Sequence, residues 1–138
     1  MQHIERIYDL PTLQKMAELY QGYLRLTDWN IEIIFVDQRD FVNKNAECEM
    51  MHKKQFARIR ICSAESWAPG FTTQLLDMKY LLLHEMVHML FSKVHPDQLS
   101  PELNEKAIEY DLFELAIDKI ASLLADLLPE LDEQVDTA

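Results

Sequence analysis

From Tyr80 to Phe91 the chain reads Tyr-Leu-Leu-Leu-His-Glu-Met-Val-His-Met-Leu-Phe. Only His84, Glu85 and His88 are strongly polar in this run. A helix that is apolar almost all round has to be buried, so the rest of the chain must fold around this segment. The fold must also satisfy two imidazoles and a carboxylate in its interior, because an unpartnered charge there is very costly. A membrane does not resolve the problem. Asp77, Lys79, His84, Glu85 and His88 make the stretch from Leu75 to Phe91 too polar to span one.

The flanking sequence supplies the covering elements. Leu13, Met16, Ala17, Tyr20, Tyr23 and Leu24 recur at helical spacing, which predicts a helix over 10–26 with Pro11 in its first turn. Trp29 to Val36 reads as a strand with Ile31, Ile33 and Phe35 on one face. Ile34 and Val36 make its second face apolar too, so it is expected to be covered on both sides. Phe56 to Cys62 alternates Ala57, Ile59 and Ile61 with Arg58 and Arg60, the pattern of a sheet with one wet face. Asn45 to Met51 reads as a short edge strand, with His52-Lys53-Lys54 as the hairpin turn. Thr72 or Thr73 is the expected cap of the buried helix, which should run to about Lys93. Ser100-Pro101-Glu102 opens a last helix that continues to about Leu128 and stops at Pro129. Glu130 to Ala138 is an acidic tail.

At 138 residues this is one domain, 1–138, with its core over about 10–128. The expected class is α+β: an N-terminal helix, a small mostly antiparallel sheet, then two long helices. The net charge of -11 argues against a nucleic-acid partner, since phosphate-backbone binding needs clustered cations. Arg58, Arg60, Lys53 and Lys54 read as a solvated sheet face rather than an anion site. The charged start, Met1 to Arg6, lacks the apolar core of a signal peptide. The expected compartment is therefore the cytoplasm, with no membrane attachment. Cys48 and Cys62 are too few for a disulfide scaffold and read as reduced, buried thiols that can neighbour each other.

His84-Glu85-Met86-Val87-His88 is an HExxH pattern. Histidines four apart on a helix lie about 40° apart around its axis and one turn apart along it. Both imidazoles can then reach one metal ion, with Glu85 beside it as a general base and acid rather than a ligand. Zn²⁺ lowers the pKa of a water it binds to about 7, which gives a nucleophile at neutral pH. The expected cofactor is one Zn²⁺ per chain.

A catalytic zinc needs a third protein ligand and an open fourth position. At about 100° per residue the last helix shows an apolar face centred near Leu112, Ala116, Leu123 and Leu127. Glu105 and Glu109 fall in the middle of that face, while Asp111, Glu114 and Asp118 fall opposite and read as a wet surface. With an antiparallel return from about Pro101, the level of His88 matches residue 105 or 106. That favours Glu105 as the ligand. Glu109 remains as a residue that orients a ligand histidine, or as the ligand itself. His95 is also open as a ligand, although it lies one residue beyond the HExxHxxGxxH spacing and residue 91 is Phe rather than Gly. Its alternative role is donor to the oxyanion, with Tyr80 and Tyr110 weaker candidates for the same role.

HExxH followed by a helix bearing Glu-x-x-x-Asp or Glu-x-x-x-Glu resembles the gluzincin class of zinc metallopeptidases. The short layout is similar to the minimal gluzincin, or minigluzincin, type. It is also similar to small zincin-like metallopeptidases of phages and mobile elements. The matching residues are His84, Glu85, His88, Glu105 and Glu109, with Leu81-Leu82-Leu83 and Trp29-Asn30-Ile31 fitting the layout. The resemblance implies zinc, hydrolysis of peptide bonds in a peptide or protein substrate, and a substrate strand paired with the sheet's edge. Glu109 departs from the Asp common four residues after the ligand Glu. Two alternatives come from other classes: a zinc-stabilised domain that binds a partner protein without cleaving it, and a helical interaction domain without metal.

Overall fold

The computed structural model describes residues 5–41, 44–67, 75–92 and 103–130, with side chains of the last stretch from residue 111. The described elements are α1 (Leu10–Leu24), β1 (Asn30–Val36), β2 (Ala46–Met51), β3 (Phe56–Cys62), α2 (Met78–Leu90) and α3 (Leu103–Leu127), with two short 3-10 turns at Gln38–Asp40 and Ala64–Ser66. This is an α+β architecture.

Asp9 caps α1 by accepting the Thr12 N–H at 2.8 Å, and Pro11 takes its place in the first turn. The helix ends at Arg25, whose φ of 59° places it in the left-handed region. Buried Gln21 donates to the carbonyls of Leu26 and Trp29 and so fixes the path into β1.

The sheet order is β1-β3-β2, with β1 parallel and β2 antiparallel to β3. It is therefore mixed rather than mostly antiparallel. Ile31, Ile33, Ala57, Ile59, Ile61 and Ala46 are buried beneath the helices. The second face carries charge ladders: Arg58 bonds Glu32 at 2.7 Å, and Arg60 lies 3.4 Å from Glu47 and 3.5 Å from Glu49. Ile34 and Val36 on that face are only half-buried, so β1 is not covered on both sides by the described residues. Cys48 stands opposite Ile59 and Cys62 opposite Val36, so the two free thiols do not neighbour each other across the sheet.

The sheet's two edges differ. At β1, Gln14 of α1 donates to the Ile31 carbonyl at 2.7 Å and accepts the Ile33 N–H at 3.1 Å, which occupies two backbone groups of that edge. At β2, the Cys62 N–H donates to the Asn45 carbonyl. In an antiparallel ladder alternate residues exchange both bonds with the partner strand. Odd-numbered residues of β2 therefore face β3, and Ala46, Cys48 and Met50 turn their N–H and C=O groups outward.

The start of α2 corrects the sequence expectation. Its cap is Asp77, which accepts the Tyr80 N–H at 3.1 Å, not Thr72 or Thr73, which lie outside the described residues. The Leu76 carbonyl accepts from Arg6 N–H, and Met78 N–H donates to the Arg6 carbonyl. Those two bonds keep the chain extended through Asp77 and use the Met78 N–H, so the helix begins at Met78. Leu82, Leu83, Met86 and Val87 are fully buried, as the apolar run requires.

The packing of α3 differs from the sequence reading in face and level. Among its described side chains Ile117, Ala121 and Ala125 are buried, while Leu112, Leu123 and Leu127 are exposed. Both faces are apolar, and the small alanines turn inward because they allow α3 to approach α2 closely. The level is set from the far end. Four side chains hold the C-terminus of α3: Arg6 donates to the Ala125 carbonyl, Lys79 to Leu128, Tyr20 to Pro129, and Tyr8 pairs with Glu130. These carbonyls lack helical donors of their own.

Candidate metal centre

Packing at that level places Glu114 and Asp118 of α3 beside the histidines of α2. Glu114 Oε1 lies 3.2 Å from His88 Nε2, and Glu114 Oε2 lies 3.6 Å from His84 Nε2. The two imidazole centroids are 4.8 Å apart. Ligand atoms of His84, His88 and Glu114 all fall within 4.8 Å of one another. A tetrahedral Zn²⁺ with bonds of about 2.0–2.1 Å sets its ligand atoms about 3.3 Å apart. The two Glu114–histidine distances lie near that spacing, and the His₂Glu donor set could hold a metal ion.

Each ring nitrogen of His84 has a carboxylate partner. Nδ1 lies 2.9 Å from Glu85 Oε2, and Nε2 lies 2.7 Å from Asp118 Oδ1. Burial works against the His84 imidazolium. The bond to Glu85 and the charges of Glu85, Asp118 and Glu114 outweigh it and hold its pKa above the ordinary imidazole value. The side chains around the histidines thus favour a positive charge at this point, whether proton or metal ion. Tyr80, one turn before His84, donates its phenol O–H to the same Asp118 oxygen at 3.1 Å.

The centre opens on a cleft of about 560 Å³ between β2 and the two helices. Ala46, Cys48 and Met50 line one side; Glu85, His84, His88 and Glu114 line the other; Phe91 and Phe113 close one part. Glu85 is buried beside the cleft. Cys48 shares it, but burial and the nearby Glu85 charge push its thiol up to about 12, so it is a poor nucleophile.

The structure thus brings together His84, Glu85 and His88 as the sequence predicts. The sequence argument missed Glu114 and Asp118, having placed both on a wet face. Glu105 lies on the same helix nine residues before Glu114, about 13 Å along the axis at 1.5 Å per residue, and Glu109 lies five before it. The side chains of Glu105 and Glu109 lie outside the described residues, as does all of His95. One signal in the sequence distinguishes the pairs: Glu114 and Asp118 form Glu-x-x-x-Asp, whereas Glu105 and Glu109 form Glu-x-x-x-Glu.

Comparison with protein-family models, with curated proteins and with solved structures finds no match. Among the described residues, no helix is long and apolar enough to cross a membrane.

Proposed function

We propose that this chain is a zinc-dependent metallopeptidase of the minimal gluzincin kind, acting in the cytoplasm on a peptide or protein substrate. The observation that carries the reading is the Glu114 carboxylate set at ligand spacing between His84 and His88. Asp118, four residues on, bonds His84, so the HExxH and Glu-x-x-x-Asp patterns meet at one place. His84, His88 and Glu114 hold the ion in this reading, and Glu114 takes the role first given to Glu105.

Zn²⁺, when bound there, supplies Lewis acidity and a water acidic enough to act as nucleophile near neutral pH. Glu85 would be the group that takes a proton from the nucleophilic water and returns it to the leaving amine. Its place in the cleft, beside the histidines, suits both transfers. The outward backbone groups of Ala46, Cys48 and Met50 offer an extended peptide a strand to pair with, on the side of the cleft facing Glu85. On the opposite edge, at β1, Gln14 already bonds Ile31 and Ile33.

A second reading, a zinc-stabilised domain that binds a partner without cleaving it, draws support from Tyr80. Its hydroxyl, a candidate donor to the oxyanion, is committed to Asp118.

The test starts with zinc content of protein purified without a histidine tag, for wild type, His88→Ala, Glu114→Ala and Glu105→Ala. The expected result is about one zinc per chain in wild type and Glu105→Ala, with background levels in the other two. Wild type free of zinc after incubation with excess metal would overturn the metal centre. Cleavage of a denatured-protein substrate should vanish in Glu85→Gln while zinc content stays unchanged. Zinc binding without cleavage in wild type would select the second reading.

A further inference from the structure

The outer side of α3 carries an apolar stripe of its own. Leu112, Ala116, Ile120, Leu123 and Leu127 recur every three or four residues. At about 100° per residue they cover about 80° of the helix surface. Ile117, Ala121 and Ala125, which are buried, stand on the opposite side of the helix. Leu112 is 61%, Leu123 59%, Leu127 69% and Ile120 36% exposed, and Ala116 is exposed with them. Leu115, also exposed, borders the stripe. Single apolar side chains on a surface need no explanation, but a continuous stripe about 22 Å long does.

The order of the stripe indicates what covers it, because it reads alike from either end. Leu112 and Leu127 stand at the two ends, and Ala116 and Leu123 stand one turn in from each. The midpoint falls between Lys119 and Ile120. A two-fold axis through that midpoint sets two copies of α3 antiparallel. Leu112 of each copy then meets Leu127 of the other, and Ala116 meets Leu123, a small side chain against a large one. In a two-fold interface residue i meets j and j meets i, so a stripe symmetric about its midpoint is complementary to its own copy. Lys119 is exposed at the edge of the stripe, where its methylenes can lie along it and its ammonium can stay at the rim. The five large side chains present about 100 Å² each, so two copies together bury about 1,000 Å², the lower bound for a specific interface.

We propose that this chain forms a two-fold dimer through the outer face of α3, the two helices lying antiparallel. Glu114 and Asp118 stand on the inner side of the same helix, against His84 and His88. Pairing through the stripe therefore leaves the cleft open, and the proposal does not depend on the metal-centre reading.

Sedimentation equilibrium of the full chain tests this, at concentrations on either side of the expected dissociation constant of about 10 µM. Wild type should pass from monomer to dimer across that range. Leu123→Glu, at an exposed position that leaves the core untouched, should weaken the dimer by about 10-fold or more. Tyr23→Glu, which places the same charge on an exposed aromatic of α1, should leave it unchanged. A chain that stays monomeric well above that concentration overturns the proposal and gives the stripe to a partner of another kind. An equal effect of Leu123→Glu and Tyr23→Glu, or none from Leu123→Glu, overturns it too. Disulfide trapping of folded protein reads the geometry without a disruptive charge. Ile120→Cys, next to the two-fold axis, should cross-link two copies under mild oxidation. Leu112→Cys, about 22 Å from its own copy in the antiparallel pair, should not. Cross-linking through Leu112→Cys, or none through Ile120→Cys, refutes the antiparallel pairing.

Discussion

The contact between α2 and α3 contains two polar clusters, one around Lys79 and one around His84 and His88. At the first, buried Lys79 and Arg6 supply permanent cations, and they meet the carbonyls and acidic groups at the end of α3. A helix C-terminus presents unsatisfied carbonyls and a partial negative charge, so fixed cations complete it. At the second, three carboxylates (Glu85, Glu114 and Asp118) lie against two histidines. The first cluster joins cations to the carbonyls and acids at a helix end. The second joins carboxylates to imidazoles, whose charge depends on a proton or a bound metal ion, and it opens on the cleft. The first cluster completes a helix end, whereas the second, with titratable groups lining a cleft, is a candidate site.

The largest effect expected from breaking this contrast is at Glu114. With zinc at 100 times its dissociation constant, the wild type should gain about 2.7 kcal/mol of stability over the metal-free protein. Glu114→Ala should gain almost none. Urea denaturation with and without zinc reads the difference, and an equal gain in both proteins would remove Glu114 from the ligand set.

Lys79→Ala should cost about 1–3 kcal/mol by leaving the Leu128 carbonyl without its donor. The same urea experiment should show that loss with zinc and without it. If Lys79→Ala instead erases the zinc-dependent gain, the two clusters are not separable.

A smaller effect sharpens the charge argument. The pKa of His84 is raised in the folded protein, so the metal-free fold gains stability from its protonated form. That gain is fully present below the ordinary value of 6.5 and is lost as pH rises through the higher folded value. Zinc affinity should rise over the same range as the proton leaves. Denaturation midpoints in chelator across that pH range, against His84→Gln, should show the dependence flattened in the variant.

The smallest expected signal is at Cys48. A thiol pushed up to about 12 is almost entirely protonated at pH 8, so iodoacetamide should label native Cys48 far more slowly than the unfolded chain. Rapid native labelling, read by mass spectrometry, would show that the cleft is more polar than its lining implies.

The strands, the hairpin turn at 52–55 and the course of α1 were legible because each depends on residues close in sequence. The alternation of Ala57, Ile59 and Ile61 with Arg58 and Arg60 specifies a one-sided strand whatever it pairs with. The parallel pairing of β1 with β3 was not legible, since alternation carries no direction. Nor was the cap of α2, because Asp77 gains its position from the backbone bonds between Arg6 and residues 76 and 78. At the site, four residues of spacing on one helix were enough to single out His84, Glu85 and His88. The third acid was lost because two apolar faces compete on α3, and the one with larger side chains, Leu112, Leu123 and Leu127, is the exposed one.

The sequence alone determined that a helix apolar on nearly every side carries two histidines and a glutamate into the interior, with a partner needed for each. The tertiary structure decided which carboxylates answer them. That choice depends on where α3 sits along α2, and the register is set more than a helical turn away, by Arg6, Tyr8, Tyr20 and Lys79 at the end of α3. Spacing within a helix is fixed by its geometry, whereas the level of one helix against another is fixed by whatever anchors their ends.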